Sequence, residues 1–181
     1  MTAEGFAQAR ALAKHLRVHW QPICLILSSD LRRAVQTTEE ILTEVHTPVQ
    51  YALEWREMNN GDLAGMPNAL AGERYPGLYY SSLQVDEPYL GGESPRQNFE
   101  RIRRAFNTLC ERILTHQLPA DMAVVTHGGP INIVYHLLKD LPWSNKNPSF
   151  PTAATGIHQI SYLDGAWRIT VENSTRHLDQ D

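Results

Sequence analysis

Apolar residues recur at three- and four-residue spacing through Phe6, Ala9, Leu12, Ala13 and Leu16, which predicts an amphipathic helix starting at Thr2 and running to about Val18. Pro22 closes the connection after it. Ile23 to Leu27 is then a continuous apolar run, the pattern of a strand buried on both faces of a parallel sheet. Leu31, Ala34, Val35, Thr38, Ile41, Leu42 and Val45 form a second helical stripe, preceded by Ser28, Ser29 and Asp30 as N-cap candidates. Pro48 breaks that helix, and Val49 to Trp55 reads as a second strand.

From Asn59 to Pro95 the periodicity dissolves among Gly61, Gly65, Pro67, Gly72, Pro76, Gly77, Pro88, Gly91 and Gly92, the mark of a functional lid or insertion. Order returns at Ser94-Pro95-Arg96-Gln97, a capping-box start for a helix with Phe99, Ile102, Phe106, Leu109 and Ile113 on its inner face. Met122 to Thr126 is a third buried strand, ended by His127-Gly128-Gly129, and Pro130 opens a helix through Leu141. Gly156 to Leu163, an Asp164-Gly165 turn and Trp167 to Val171 close the chain as a β-hairpin.

Alternating helices and strands give an α/β class, a three-layer sandwich with a mostly parallel sheet, helices on both faces and a C-terminal hairpin. The 181 residues fit a single domain over 1–181, with the irregular segment at about 59–95 as an insertion. Apolar residues at 42% and charged residues at 20% are globular proportions. Sixteen Lys and Arg against twenty Asp and Glu leave a net −4, so neither nucleic acid nor an anionic membrane is the expected partner, and any anion site must be local. Cys24 and Cys110 are too few for a disulfide framework and have no metal spacing, which suits a reducing compartment. Without a long apolar run or a signal-like N-terminus, the expected location is cytoplasmic.

In open α/β sheets ligands gather at the carboxyl ends of the strands, so the residues just after each strand carry the chemistry. The first strand is followed by Ser28-Ser29-Asp30-Leu31-Arg32-Arg33, where helix N–H groups and arginine forks suit phosphate, although a capped helix with solvated arginines reads the same way. The second is followed by Arg56-Glu57-Met58-Asn59-Asn60-Gly61. Glu57 could donate a proton to a leaving alkoxide, or simply pair with Arg56. The third ends in Thr126-His127-Gly128-Gly129-Pro130, the most specific signal, with an imidazole at a helix start and glycines that let backbone approach a ligand. His15 and His19 are four apart but lack a third ligand or a metalloprotease glutamate, so a solvated helix face is expected and no metal site. Cys24 reads as inert core.

Taken together, Thr2-Ala3-Glu4-Gly5, Ser28 to Ala34 with Gln36-Thr37, Arg56 to Asp62, Gly91-Gly92-Glu93-Ser94 and Thr126 to Gly129, in that order, resemble the histidine phosphatase superfamily, phosphoglycerate-mutase-like branch. The tail Asn173 to Leu178 is similar to those of its small-phosphatase members. The resemblance implies phosphoryl transfer through a phosphohistidine, with Arg33, His127 and Gly128 holding the phosphate of a small phosphorylated metabolite, Glu57 as general acid and no cofactor.

One part of that pattern is not in the sequence. The family's nucleophile lies in an Arg-His-Gly motif at the end of a first strand, upstream of the opening helix. Arg176-His177-Leu178 is the nearest string, and it lies in the tail. The resemblance therefore implies a fold missing its first strand, with neighbouring edges unpaired. Three explanations are open: Met1 as an internal methionine with the start upstream, which is the preferred one; a natural truncation; or a gap filled by rearrangement or by a second chain. The expected activity is that of a phosphomonoesterase, inactive or impaired in this chain. The alternatives are a non-catalytic phosphate-binding or interaction protein and a phosphoglycerate mutase, the latter disfavoured by the modest stretch from Glu57 to His127. Tyr75, Tyr79, Tyr80, Tyr89 and Arg74 either line a substrate wall or pack the insertion down, with packing preferred. Oligomeric state is open.

Overall fold

The computed structural model describes residues 1–179. Its first helix, α1 (Ala3–His19), is capped by Thr2, whose hydroxyl accepts the Gly5 N–H at 3.1 Å, and it buries Ala9, Leu12, Ala13 and Leu16 as their spacing requires. β1 (Leu25–Ser28) lies at the centre of a parallel three-stranded sheet. β2 (Val49–Tyr51) flanks it in the register Ile26 opposite Val49, and β3 (Met122–Val125) flanks it in the register Ile26 opposite Ala123. The predicted second strand is cut short, because Leu53–Trp55 turns into a 3-10 helix that buries Trp55.

Helices cover both faces. On one side α1 and α2 (Arg32–Leu42) enclose a cluster of Leu12, Leu16, Ile23, Ile26, Ile41 and Val45. On the other, α4 (Pro95–Leu114) and α5 (Gly128–Leu138) enclose Trp55, Ile102, Phe106, Leu109, Ile133 and Val134. This is the three-layer α/β sandwich that the alternation predicts. The hairpin is a separate sheet of β4 (Ile157–Leu163) and β5 (Ala166–Ser174), antiparallel and longer than the pattern suggested.

The insertion is ordered. A 3-10 turn at Gly61–Leu63, α3 (Asn68–Arg74) and a second 3-10 turn at Tyr80–Ser82 surround a small cluster of Met58, Leu83 and Tyr89. Asn145, itself buried, donates to the carbonyls of Tyr80 and Leu83 and ties the insertion to the main body. Of the tyrosines, Tyr89 packs inside, Tyr75 is half-buried and Tyr79 is exposed.

Several local expectations are corrected. The strand starts at Leu25, and Cys24 before it is exposed rather than core. α5 begins at Gly128 with Pro130 inside its first turn, and it stops at Leu138 because Asp140 turns to positive φ. His15 is not on a solvated face. It is half-buried against His177, with ring centroids 5.8 Å apart, where the chain's last turn packs on α1. Among the described residues no group of His, Cys, Asp or Glu is placed to hold a metal ion, and no helix is long and apolar enough to cross a membrane.

Candidate active site

The site forms where β1, β2 and β3 end. Ser28, Ser29 and Asp30 leave β1 as N-cap candidates, yet none of them caps α2, whose N-cap is Leu31 without a side-chain bond. Each has a tertiary partner instead. Thr38 donates to the Ser28 hydroxyl at 2.9 Å, Ser29 faces His127, and Asp30 holds Arg56 in a two-point ion pair. The first-turn N–H groups of α2 are therefore left uncapped by side chains beside Arg33, the favoured environment of an anion.

His127 is buried at 8% exposure at the end of β3. Arg33 donates its Nε–H to Nδ1 of the imidazole at 3.1 Å, and Nε2 lies 2.8 Å from the Ser29 hydroxyl. A nitrogen that accepts from arginine cannot carry a proton, so the neutral ring holds its proton on Nε2 and donates it to Ser29. Burial, and then the charges of Arg33 and Arg101, push His127 down to about 4.

Glu57 stands opposite. Its Oε1 accepts the Met58 N–H at 3.1 Å and its Oε2 accepts the Gly129 N–H at 3.1 Å, which pins the carboxyl to the first turn of α5. Arg56, the local alternative partner, is turned to Asp30. A Cβ built on Gly129 would lie 2.0 Å from Oε1 of Glu57, so the second glycine makes room for the carboxylate rather than for a ligand. Thr126 reaches across from β3 to the Trp55 carbonyl at 2.8 Å and ties the histidine strand to the acid-bearing turn. Tyr80 is partly exposed as a residue, yet its hydroxyl is partly desolvated. Burial and the nearby Glu57 charge push it up to about 12, against a hydrogen bond with Asn98.

The structure brings Arg33, Glu57, His127 and Gly128 to the rim of one cleft. Arg32 is exposed and, among the described residues, has no ion pair or hydrogen bond there, and His177 is not among the residues lining that cleft: its Nε2 lies 2.9 Å from Thr155 Oγ1. Sequence reasoning missed Arg101. From α4 its guanidinium donates to the carbonyls of Glu54, Arg56 and Glu57, to Asn98 and to both carboxylate oxygens of Glu93. Glu93 in turn accepts the Asn59 N–H at 2.9 Å, so the Gly-Gly-Glu-Ser segment and the acid turn are one hydrogen-bonded unit. Burial raises Glu93, but Arg101 and the Asn59 N–H outweigh it and hold the carboxyl below its ordinary value.

A histidine, an arginine and a carboxyl converging beside an uncapped helix start can bind a tetrahedral oxyanion and pass a proton to a departing oxygen. The family model of the histidine phosphatase superfamily, branch 1, matches residues 1–175. An uncharacterized phosphatase PhoE of Bacillus subtilis is 25% identical over 98% of this chain and 83% of its own. A 2,3-bisphosphoglycerate-dependent phosphoglycerate mutase of Bradyrhizobium is 28% identical over 78% of this chain and 70% of its own. A mycobacterial glucosyl-3-phosphoglycerate phosphatase, solved with inorganic phosphate, superposes with a TM-score of 0.73 at 28% identity, covering 98% of this chain and 88% of that one. The alpha-ribazole phosphatase of Shigella flexneri shares the fold at a TM-score of 0.79 and 22% identity, over 96% and 84% of the two chains. With its motifs in order, its fold matched and the family model spanning nearly all of it, the chain belongs to the histidine phosphatase superfamily, branch 1.

Proposed function

We propose that this site binds the phosphoryl group of a small phosphorylated metabolite, with Arg33 and His127 as its holders and Glu57 as the acid that protonates the leaving oxygen of a phosphomonoester. The observation that carries this reading is the Arg33–His127 contact at 3.1 Å beside the uncapped start of α2, with Glu57 held across from it. A phosphoryl oxygen entering between Arg33 and Nδ1 replaces a cation–neutral contact with two bonds to an anion, and it draws a proton onto the ring.

The 181-residue chain carries no Arg-His-Gly, so by itself it binds phosphate and is inactive or impaired in hydrolysis. Calorimetric titration with phosphate and vanadate, beside an assay with p-nitrophenyl phosphate, tests this. Binding without turnover is expected, weakened about tenfold in Arg33→Ala and unchanged in Arg32→Ala. Enzyme-like turnover by this chain that is lost in His127→Asn refutes the inactivity. Failure of phosphate, vanadate and sulfate to bind refutes the site.

A further inference from the structure

The 3-10 turn Arg176–Leu178, which follows β5, is held from two sides. On one side it packs on α1, where the rings of His177 and His15 lie 5.8 Å apart and those of His15 and His19 lie 4.6 Å apart. On the other it grips Thr155: His177 Nε2 is 2.9 Å from the Thr155 hydroxyl, and the Leu178 N–H donates to the Thr155 carbonyl at 2.7 Å. His177 is buried at 3% exposure, His15 is half-buried and His19 is exposed. None of the three histidines is among the residues lining the cleft of Arg33, Glu57 and His127.

Thr155 requires such a grip. Its φ is 58°, the left-handed region, which strains a β-branched residue and persists only where the surroundings impose it. The segment it belongs to runs to the candidate site. The Gly156 N–H donates to the Ala153 carbonyl at 3.0 Å, the Ala153 N–H donates to Asn173 Oδ1 at 2.7 Å, and a Cβ on Gly128 would lie 3.1 Å from Thr152 Oγ1. Contacts therefore run without a break from α1 through His177 and Thr155 to Gly128.

The Nδ1 atoms of His15 and His177 are buried and have no hydrogen-bond partner among the described residues. A neutral ring can leave such a nitrogen bare. An imidazolium carries N–H on both nitrogens, so protonating either ring buries a charge together with a donor that nothing accepts. Burial, then His19 and Arg176, lower His15, and burial, then His15, lower His177, with Asp179 opposing at His177. Lys14 on α1 is exposed and adds a further positive charge. From α2, which packs on α1, Glu40 lies 3.8 Å from Arg10 and Glu44 lies 2.9 Å from Arg17, so both carboxylates face arginine.

We propose that the His15–His177 contact is an acid-opened latch: neutral rings fasten the Arg176–Leu178 turn to α1 and Thr155, and protonation releases that turn together with the Thr152–Gly156 segment beside Gly128. In the released state both rings return to an ordinary value near 6.5, so that state takes up protons first. The latch is closed above pH 6.5 and opens as pH falls below it. It stands on this packing alone and does not rest on the phosphate reading.

The test is amide hydrogen exchange of the 181-residue chain at about pH 7.5 and about pH 5.5, corrected for the intrinsic pH dependence of exchange, beside the ring titrations in NMR. The expected result is opening at Leu178 and Gly156 that rises about tenfold on acidification while Ile26 of β1 keeps its protection, with His15 and His177 titrating below 6.5. In His15→Gln/His177→Gln a neutral amide can still reach Thr155, and opening at Leu178 should no longer respond to pH. His15→Gln alone should show a smaller rise than wild type. Opening that is the same at both pH values in wild type overturns the proposal, as does titration of the two rings at or above 6.5. An undiminished rise in the double variant overturns it too, and so does loss of protection at Ile26 in step with Leu178. The wild-type exchange and titrations decide the matter even where a variant does not fold.

Discussion

Arg33 donates to Nδ1 of His127 across 3.1 Å, and this one bond decides which imidazole nitrogen carries the proton. The ring stays neutral in the free protein, with Nε2–H directed at Ser29. Because burial and the two arginines depress His127 to about 4, the unfolded chain, with an ordinary value near 6.5, takes up the proton first. The associated stability is complete above pH 6.5 and is lost as pH falls toward 4, to an upper limit of about 3 kcal/mol. His15, His158 and His177 are lowered as well, so the quantity to measure is the difference between wild type and His127→Gln in urea unfolding at pH 7 and pH 4.5. The variant should be the less pH-sensitive of the two.

The same ring reports phosphate. An anion between Arg33 and Nδ1 stabilises the imidazolium, so saturating phosphate should move the His127 titration upward, read from the ring Cε1–H signal in NMR. Proton uptake on binding, seen as a buffer-dependent heat, is the calorimetric counterpart. Phosphate binding that leaves the His127 titration near 4 would place the anion elsewhere.

Gly129→Ala separates two opposing effects. Alanine in a helix is favoured over glycine by about 1 kcal/mol on propensity alone. Here its Cβ would meet Glu57 Oε1 at 2.0 Å, and the carboxyl must give up the Gly129 N–H. The expected outcome is net destabilisation of about 1 to 3 kcal/mol in urea unfolding. A stabilised variant would show that Glu57 does not sit there in solution.

Arg101→Ala leaves Glu93 with the Asn59 N–H and without its arginine, and takes the Arg101 donor from the carbonyls of Glu54, Arg56 and Glu57. The pair is about one-fifth exposed on each side, so the loss should be about 2 kcal/mol, less than for a fully buried pair. Lysine offers a point charge in place of a fork and should recover less than half of it. Full rescue by Arg101→Lys would mean that charge, not the bidentate geometry, holds the acid turn.

The parts of the fold that local chemistry controls were legible in the sequence. Ser94, Pro95 and Gln97 start α4 as a capping box, with Ser94 accepting the Gln97 N–H and Gln97 accepting the Ser94 N–H. The post-strand positions of Arg33, Glu57 and His127 followed from alternation and from the family pattern. Ser28, Ser29 and Asp30 misled because the same side chains that cap a helix also pair across the fold, and distant Thr38, His127 and Arg56 win. Arg101 carried no local mark. It is one of five arginines on α4, and only the fold brings three carbonyls and Glu93 within its reach.

The neck of the insertion has a consequence for how the protein can vary. Glu93 N–H donates to the Asn59 carbonyl and Asp62 N–H to that of Leu90, while Gly61 and Gly92 touch so closely that a Cβ on either would overlap the opposing backbone. The loop is thus buckled at its base like a belt, and its closure entropy, which grows only logarithmically with length, is met at the buckle. Gly65, Gly72 and Gly77 along the belt have open space around them. Lengthening or rewriting that stretch transmits no shift through the buckle to Glu57, so the insertion can vary while that carboxyl stays in place.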